Sequence, residues 1–289
     1  MEILKLSSPA KINLRLKVLG QRPDRYHDLS MIMTRVSLAD EIQLEKTSAG
    51  VELISESQEL PADRTNLAYR AAELFFQKTG CPGGIKIILR KNIPVAAGLG
   101  GGSSNAATVI KGLAQLYDVS LEDSSWIEET KKLGADIPFF MKEGPQIAEG
   151  VGERLTPLKN LPKLSLILVN PGFPVSTREV FEAYSSPLTG TGKVASLPPH
   201  LGDSPFGSLE DLLPFLENDL EKVVLDRYPV VGEIKKELSK RGAAASLMSG
   251  SGPTVFAVFR DEEGRDRALR LFEEKRPPAW KVFPVEVAF

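Results

Sequence analysis

Apolar residues recur along the chain at two spacings. Near the start, Ile12, Leu14, Leu16 and Val18 alternate with Asn13, Arg15 and Lys17, the period of a strand with one apolar and one polar face. Lys11 and Asn13 then project together from the polar face, because alternate side chains point the same way. Residues 20–28 read as a loop, and short strands are expected at 42–44 and 51–53 around the Ala49-Gly50 turn. A helix is expected to open at 63–65, with Leu67, Ala71, Leu74 and Phe75 on one stripe and Gly80 as its stop signal. After a strand at 85–89, a second stripe (Ala106, Val109, Ile110, Leu113, Tyr117) and a third (Trp126, Ile127, Thr130, Leu133, ending at Gly134) predict two more helices.

The second half is less regular. Residues 155–164 contain two prolines and precede the apolar run 164–169, a domain junction that divides the chain into 1–160 and 161–289. Residues 187–208, rich in Gly, Pro and Ser, read as a long loop. Ile234 and Leu238 suit a helix stopped by Gly242, and 255–259, 262–274 and 282–289 read as strand, charged helix and closing strand. Strands and helices mix without strict alternation, which predicts an α+β fold.

Composition narrows the function. At 289 residues the chain exceeds what one core usually fills, so two domains are expected. With 36 basic and 38 acidic residues spread evenly, it has no basic face for neutralising the phosphates of a nucleic acid. One cysteine, Cys81, makes no internal disulfide, and with only two histidines a zinc site of soft ligands is nearly excluded. Glu2 and Lys5 in the first ten residues argue against a signal peptide. No run of about 18 uncharged apolar residues suggests a membrane span. A cytoplasmic location is expected, and nothing specifies the oligomeric state.

The sharpest local feature is the run Pro94, Val95, Ala96, Ala97, Gly98, Leu99, Gly100, Gly101, Gly102, Ser103, Ser104, followed by Asn105-Ala106-Ala107. Consecutive glycines put no Cβ in the way, so backbone N–H groups can close around an anion. Ser103 and Ser104 are expected at the N-cap of the helix that follows, whose positive dipole end faces the loop. The run lacks the Gly-Lys-Ser/Thr ending of a P-loop, and Ser103 stands where a dinucleotide fingerprint needs glycine. A flexible linker is a poor alternative, because a well-formed apolar helix follows at once.

This run resembles the phosphate loop of the GHMP kinases, the family that includes galactokinase, homoserine kinase and mevalonate kinase. Four further segments resemble the family's branch acting on a cytidine diphosphate-linked methylerythritol: Ser8-Pro9-Ala10-Lys11-Ile12-Asn13-Leu14, the loop at 20–29, Leu133-Gly134-Ala135-Asp136-Ile137-Pro138-Phe139-Phe140, and Met248-Ser249-Gly250-Ser251-Gly252-Pro253-Thr254. The resemblance implies two lobes. Residues 1–160 would form an ATP-binding, catalytic lobe with a left-handed crossover, and 161–289 a ferredoxin-like α/β sandwich.

It also implies an ATP-dependent small-molecule kinase of isoprenoid precursor synthesis, with Lys11 and Asp136 as the catalytic pair. A rigidly held carboxylate orients the acceptor hydroxyl, and a fixed cation keeps it ionised. Asp136 is expected on an extended exit from the preceding helix, because Pro138 restricts the residue before it. Taken alone, a lysine on a polar face is ordinarily solvated and an aspartate after a helix is ordinarily a turn residue. The glycine run beside them is what favours catalysis. By the same resemblance Tyr26 and His27 meet the cytosine of the acceptor with Asn13 also on the substrate, Asn66 and Lys91 lie on the adenine side of ATP, and Ser104 is a ligand for Mg²⁺. A homoserine- or mevalonate-type kinase, or an inactive nucleotide-binding relative, remains the alternative.

Overall fold

The computed structural model describes residues 2–57, 60–185, 206–274 and 276–288; the loop expected at 187–208 lies mostly outside them. The described chain forms β1 (Ile3–Gln21), β2 (His27–Thr47), β3 (Gly50–Ser55), α1 (Leu67–Thr79), β4 (Gly84–Arg90), α2 (Gly101–Tyr117), α3 (Ser125–Leu133), α4 (Ile137–Met141), β5 (Gln146–Gly150), β6 (Arg154–Pro157), β7 (Ser165–Asn170) and α5 (Thr177–Ser185). It continues through α6 (Leu209–Leu212), β8 (Glu217–Asn218), α7 (Glu221–Arg227), α8 (Pro229–Lys240), β9 (Ala245–Met248), β10 (Val255–Phe259), α9 (Glu262–Glu273) and β11 (Lys281–Ala288). Strands and helices mix, as the α+β expectation requires.

Two compact units emerge, each built from separate stretches of chain. The first comprises 1–10, 38–95 and 100–143; the second 11–37, 96–99 and 144–289. The long strands β1 and β2 contribute residues to both.

In the first unit β4 lies between its neighbours, antiparallel to β2 and parallel to β3. Ala49-Gly50 therefore does not close a hairpin, because β4 takes the place beside β2 that β3 would need. The helix α1 crosses over between the parallel strands, capped by Asn66, whose side chain accepts from Ala68 N, and stopped by left-handed Gly80. Its Phe75 is fully buried and stacks on Trp126 of α3 at 5.9 Å. Gly112 lets α2 lie close to the strands, since a Cβ there would meet methyls of Leu6 and Leu44 at 2.5 Å.

In the second unit β7 is buried along its whole length between β10 and β11, both antiparallel to it, and β9 completes the order β11-β7-β10-β9. With α8 before β9 and α9 between β10 and β11, this is the βαββαβ pattern of a ferredoxin-like sandwich. Strand β1 differs from expectation. Ile12 and Leu14 are buried, but so are Lys11, Asn13 and Arg15 on the polar face. That face is covered by polar partners: Arg15 pairs with Glu217 of β8, which runs parallel beside it. The expected loop at 20–28 contracts to a turn at 22–26, closed by Arg22 N donating to Tyr26 O at 2.7 Å.

Gly84 sits opposite Gly50 in the β3–β4 register, and a Cβ on it would stand 2.2 Å from the Gly50 carbonyl oxygen. That neighbour is backbone and cannot swing aside. Gly84→Ala should lower stability by about 1–3 kcal/mol in urea titrations, whereas Gly20→Ala, with nothing within 4 Å of its new Cβ, should change it little.

Candidate active site

The glycine-rich run is held by its carbonyls. Within the second unit, Ala96 O accepts from Val175 N at 3.1 Å, Ala97 O from Thr254 N at 3.4 Å, and Leu99 O from Lys11 N at 2.9 Å. Gly98 O accepts from the Ser249 hydroxyl at 3.0 Å. Four consecutive carbonyls are thus satisfied by protein donors. The backbone follows an alternating course, with positive φ at Ala96, Gly98 and Gly100 (49°, 77° and 68°), the kind of winding that turns N–H groups to one concave side. Gly98 is obligatory on two counts: its φ is left-handed, and a Cβ would lie 2.1 Å from the Ser249 carbonyl oxygen.

The helix α2 starts earlier than expected. Its N-cap is Gly100, in a left-handed conformation without a side-chain cap, and Ser104 N already donates to Gly100 O at 2.9 Å. Ser103 and Ser104 are therefore in the first turn, not at the cap. The N–H groups of Gly101, Gly102 and Ser103 precede any intrahelical acceptor. With no capping side chain to compete for them, they and the helix dipole present a positive end to an incoming anion.

Beneath that first turn, in the first unit, lies a buried polar network that the sequence did not reveal. Asp40, fully buried, accepts from Asn92 N (2.8 Å) and Ile93 N (2.9 Å) through one oxygen. Its other oxygen accepts from the Lys91 ammonium and from Asn105 Nδ2, which also donates to Ser8 Oγ. Lys91 further donates to Asn105 Oδ1 at 3.2 Å, and a Cβ on Gly101 would come within 3.1 Å of its Nζ. Burial pushes the Lys91 pKa below the ordinary lysine value, against the pull of Asp40. The four polar partners pin the run leaving β4 to the start of α2.

Two further expected site residues make structural hydrogen bonds in the first unit. Asn66 caps α1 and donates its Nδ2 to Pro61 O at 2.9 Å. The Ser104 hydroxyl is fully buried and accepts from Ser8 Oγ at 2.8 Å. Among the described residues no group of three His, Cys, Asp or Glu side chains is placed to hold a metal. A magnesium ion carried on nucleotide phosphates would not require such a group.

Asp136 is also in the first unit, half-buried with helical dihedrals (φ −85°, ψ −9°), at the N-cap of α4. Ile137-Pro138 opens this short helix where an extended exit was expected, because proline at the first helical positions gives up only an N–H that has no partner there. The turn lies beside the start of α2, as a Cβ on Gly134 would stand 3.7 Å from Ser103 Oγ.

Lys11, Asn13, Tyr26 and His27 are in the second unit. Lys11 donates to Asn13 Oδ1 at 2.5 Å, and Asn13 N reaches the Ser249 hydroxyl at 3.3 Å. Ser249 is fully buried and thereby ties the strand carrying Lys11 to the glycine-rich run. Tyr26 is 64% exposed while His27 is only 6% exposed. The His27 ring stacks on Phe181 at 5.3 Å and meets the edge of Tyr184 at 6.5 Å. Burial lowers its pKa below the ordinary histidine value, which keeps the imidazole neutral at neutral pH. Sequence reasoning missed Phe181 and Tyr184; their signal was an aromatic pair at helical spacing with Thr177 and Val180.

The sequence matches the family described as GHMP kinases N terminal domain over residues 66–144 and that described as GHMP kinases C terminal over 204–275. It is 44% identical to a 4-diphosphocytidyl-2-C-methyl-D-erythritol kinase of Syntrophus aciditrophicus, across 98% of this chain and 99% of that protein. To the Geobacter metallireducens protein of the same name it is 47% identical across 91% and 92%. A crystal structure of 4-(cytidine 5'-diphospho)-2C-methyl-D-erythritol kinase superposes with TM-score 0.82 at 33% identity, over 99% of this chain and 100% of that one. L. major mevalonate kinase shares the fold, with TM-score 0.73 at 16% identity over 98% and 95%.

Removing one member of a buried charge pair leaves the other uncompensated. Asp40→Ala should therefore cost about 3–5 kcal/mol of unfolding free energy in denaturant titrations. Asp40→Asn should cost less, because its amide oxygen still accepts from Asn92 and Ile93.

Proposed function

The chain belongs to the GHMP kinase family, and we propose that it transfers the γ-phosphoryl group of ATP to the 2-hydroxyl of 4-diphosphocytidyl-2-C-methyl-D-erythritol, a step in isoprenoid precursor synthesis. The family's kinase activity makes ATP the co-substrate. The observation that carries the reading is the glycine-rich run, whose carbonyls are engaged by protein while the N–H groups at the start of α2 are offered to an anion. Relatives that share most of this chain and bear the cytidyl-linked substrate in their names support the narrower assignment.

In this reading a magnesium ion arriving with the nucleotide would supply positive charge that offsets the phosphates, and Ser104 is the residue expected to face it. The residues from Pro94 to Ser104 cradle the phosphates, Lys91 helps fix the backbone beside them, and Asn66 and Lys91 lie toward the adenine side. The acceptor oxygen attacks the γ-phosphorus as the bond to the β-phosphate oxygen breaks and ADP leaves. Asp136 orients the hydroxyl and accepts its proton. Lys11, held by Asn13, supplies positive charge to the transferring group. His27, neutral and fixed by its aromatic neighbours, hydrogen-bonds the edge of the cytosine, and the exposed ring of Tyr26 packs on the base.

An ADP-release assay with Mg-ATP should give rapid turnover with the cytidyl-linked methylerythritol and little with homoserine or mevalonate. Comparable rates with either of the latter would overturn the substrate assignment while leaving the family intact.

Asp136→Asn keeps the shape and removes the charge. In single-turnover kinetics it should lower the rate by ~10²-fold or more, the range for a general base, with much smaller changes in the dissociation constants. Lys11→Met should lower the rate as well, and the double variant should be milder than the product of the singles, since residues acting as a unit are not additive. Near-normal turnover by Asp136→Asn would reduce Asp136 to a turn residue.

A further inference from the structure

Residues 217–221 join strand β1 to the turn between β9 and β10, all inside the second unit. On the β1 side, Leu16 and Asn218 are partners in the parallel register. Asp219 N donates to Leu16 O at 3.0 Å, and Asp219 Oδ2 accepts from Val18 N at 2.8 Å. On the turn side the bonds come from side chains. Successive residues of a strand turn their N–H and C=O groups to opposite neighbours. Ser249 N donates inward to Thr254 O, so Met248 shows its own N–H and C=O to the edge of the sheet, where β9 is the last strand. Glu221 accepts from Met248 N at 2.6 Å, and Asn218 Nδ2 donates to Met248 O at 2.7 Å. The same amide donates to Gly250 O at 2.8 Å, while Asn218 Oδ1 accepts from Leu220 N at 3.0 Å. Both amide hydrogens are used, and the carbonyls they reach stand on either side of Ser249.

We propose that Asn218 is a positioning residue for phosphoryl transfer: by holding the carbonyls that flank Ser249, it sets that hydroxyl against Gly98 O and the turn against Lys11. The inference rests on the phosphate-loop reading above. Ser249 donates to Gly98 O at 3.0 Å and accepts from Asn13 N at 3.3 Å, so a rotation of its backbone moves the contact that satisfies the Gly98 carbonyl. Gly250 has a left-handed φ of 57°. A Cβ on it would stand 3.2 Å from Gly98 O, 3.3 Å from Asn13 Oδ1 and 3.4 Å from Lys11 Nζ. The turn therefore packs directly on the glycine-rich run and on the lysine assigned to the transferring group. Other ties hold other parts of it. Gly252 N donates to Ser249 O at 2.9 Å, the Ser251 and Thr177 hydroxyls bond at 2.7 Å, and Thr254 N reaches Ala97 O. These leave the carbonyls flanking Ser249 to Asn218. Asn218, Met248 and Gly250 are all buried, so a carbonyl that loses the amide carries an unmet desolvation cost.

The principal variant is Asn218→Asp, which keeps the shape and the acceptor for Leu220 N but removes the amide hydrogens from the two carbonyls. Its kcat should fall about tenfold and its KM for ATP rise about three- to tenfold, the scale of one or two net hydrogen bonds. KM for the cytidyl-linked acceptor should stay within about twofold, since Tyr26 and His27 are untouched. Ser249→Ala should show the same split, and the double variant should be no worse than the more severe single, because both act through one hydroxyl. The control is Glu217→Gln, on the same short strand, which weakens the pairs with Arg15 and Lys17 and leaves the turn alone. It should lower the urea midpoint while kcat and KM for ATP stay within about twofold. Should Asn218→Asp not fold, Asn218→Ser, whose hydroxyl serves only one carbonyl, should show the same split at about threefold. Two readouts need no acceptor: ATP binding by calorimetry, and the backbone amide NMR signals of Gly98 and Ser249. Both should change in Asn218→Asp and neither in Glu217→Gln. Normal kcat, ATP affinity and amide signals in a folded Asn218→Asp would overturn the proposal. So would equal kinetic losses in Asn218→Asp and Glu217→Gln, which would reduce Asn218 to a general part of the fold. A wild-type protein that binds no ATP would refute the phosphate-loop reading instead, and the Gly98 and Ser249 signals would still decide whether Asn218 holds the turn.

Discussion

Four carbonyls in a row, from Ala96 to Leu99, accept hydrogen bonds from protein donors, and the rest of the candidate site depends on that constraint. A glycine-rich loop with unengaged carbonyls would have many conformations, and its oxygens would repel a phosphate chain as readily as its N–H groups attracted it. Satisfying the carbonyls removes the repulsion and much of the entropy at once. The donors come from well-separated parts of the sequence: β1, the run after β7, and the turn between β9 and β10. Ser249 is the densest junction among them, with one hydroxyl shared between Gly98 O and Asn13 N.

The first unit uses a different device at the same run. Fully buried Asp40 anchors two backbone N–H groups and an ammonium, and Asn105 bridges it to Ser8. Such a network is costly unless every member is satisfied, and here the members satisfy one another. Lys91 thereby helps fix the backbone that leads from β4 to the start of α2. Precise placement of reacting groups needs this kind of support, since phosphoryl transfer relies on positioning and charge more than on covalent participation by the protein.

Much of the fold was legible in local patterns. The stripe through Leu67, Ala71, Leu74 and Phe75 gave α1, Gly80 stopped it in the left-handed conformation, and the alternation from Ile12 to Val18 marked β1. What misled was context. Alternation implied a solvated polar face for β1, yet Lys11, Asn13 and Arg15 are buried because other polar groups cover them. Ala49-Gly50 read as a turn between two short strands, and local spacing could not show that β4 enters beside β2 from some forty residues away in sequence. Short helices such as α4 and α5 carry too few turns for periodicity to declare them.

For the site, the sequence by itself determined the chemistry on offer. The glycine run, the serines after it, Lys11, Asp136 and the Tyr26-His27 pair are choices of residue type, and their order along the chain was enough to resemble the GHMP kinases. Only the tertiary structure decided how each group is used. It started α2 at Gly101 and turned Ser104 inward to Ser8. It also placed Phe181 and Tyr184 against His27, and brought Asp219 to β1. The reason is physical. A residue's type fixes which bonds it can make, whereas burial and partners distant in sequence fix which of them it does make, and neither is encoded in local spacing.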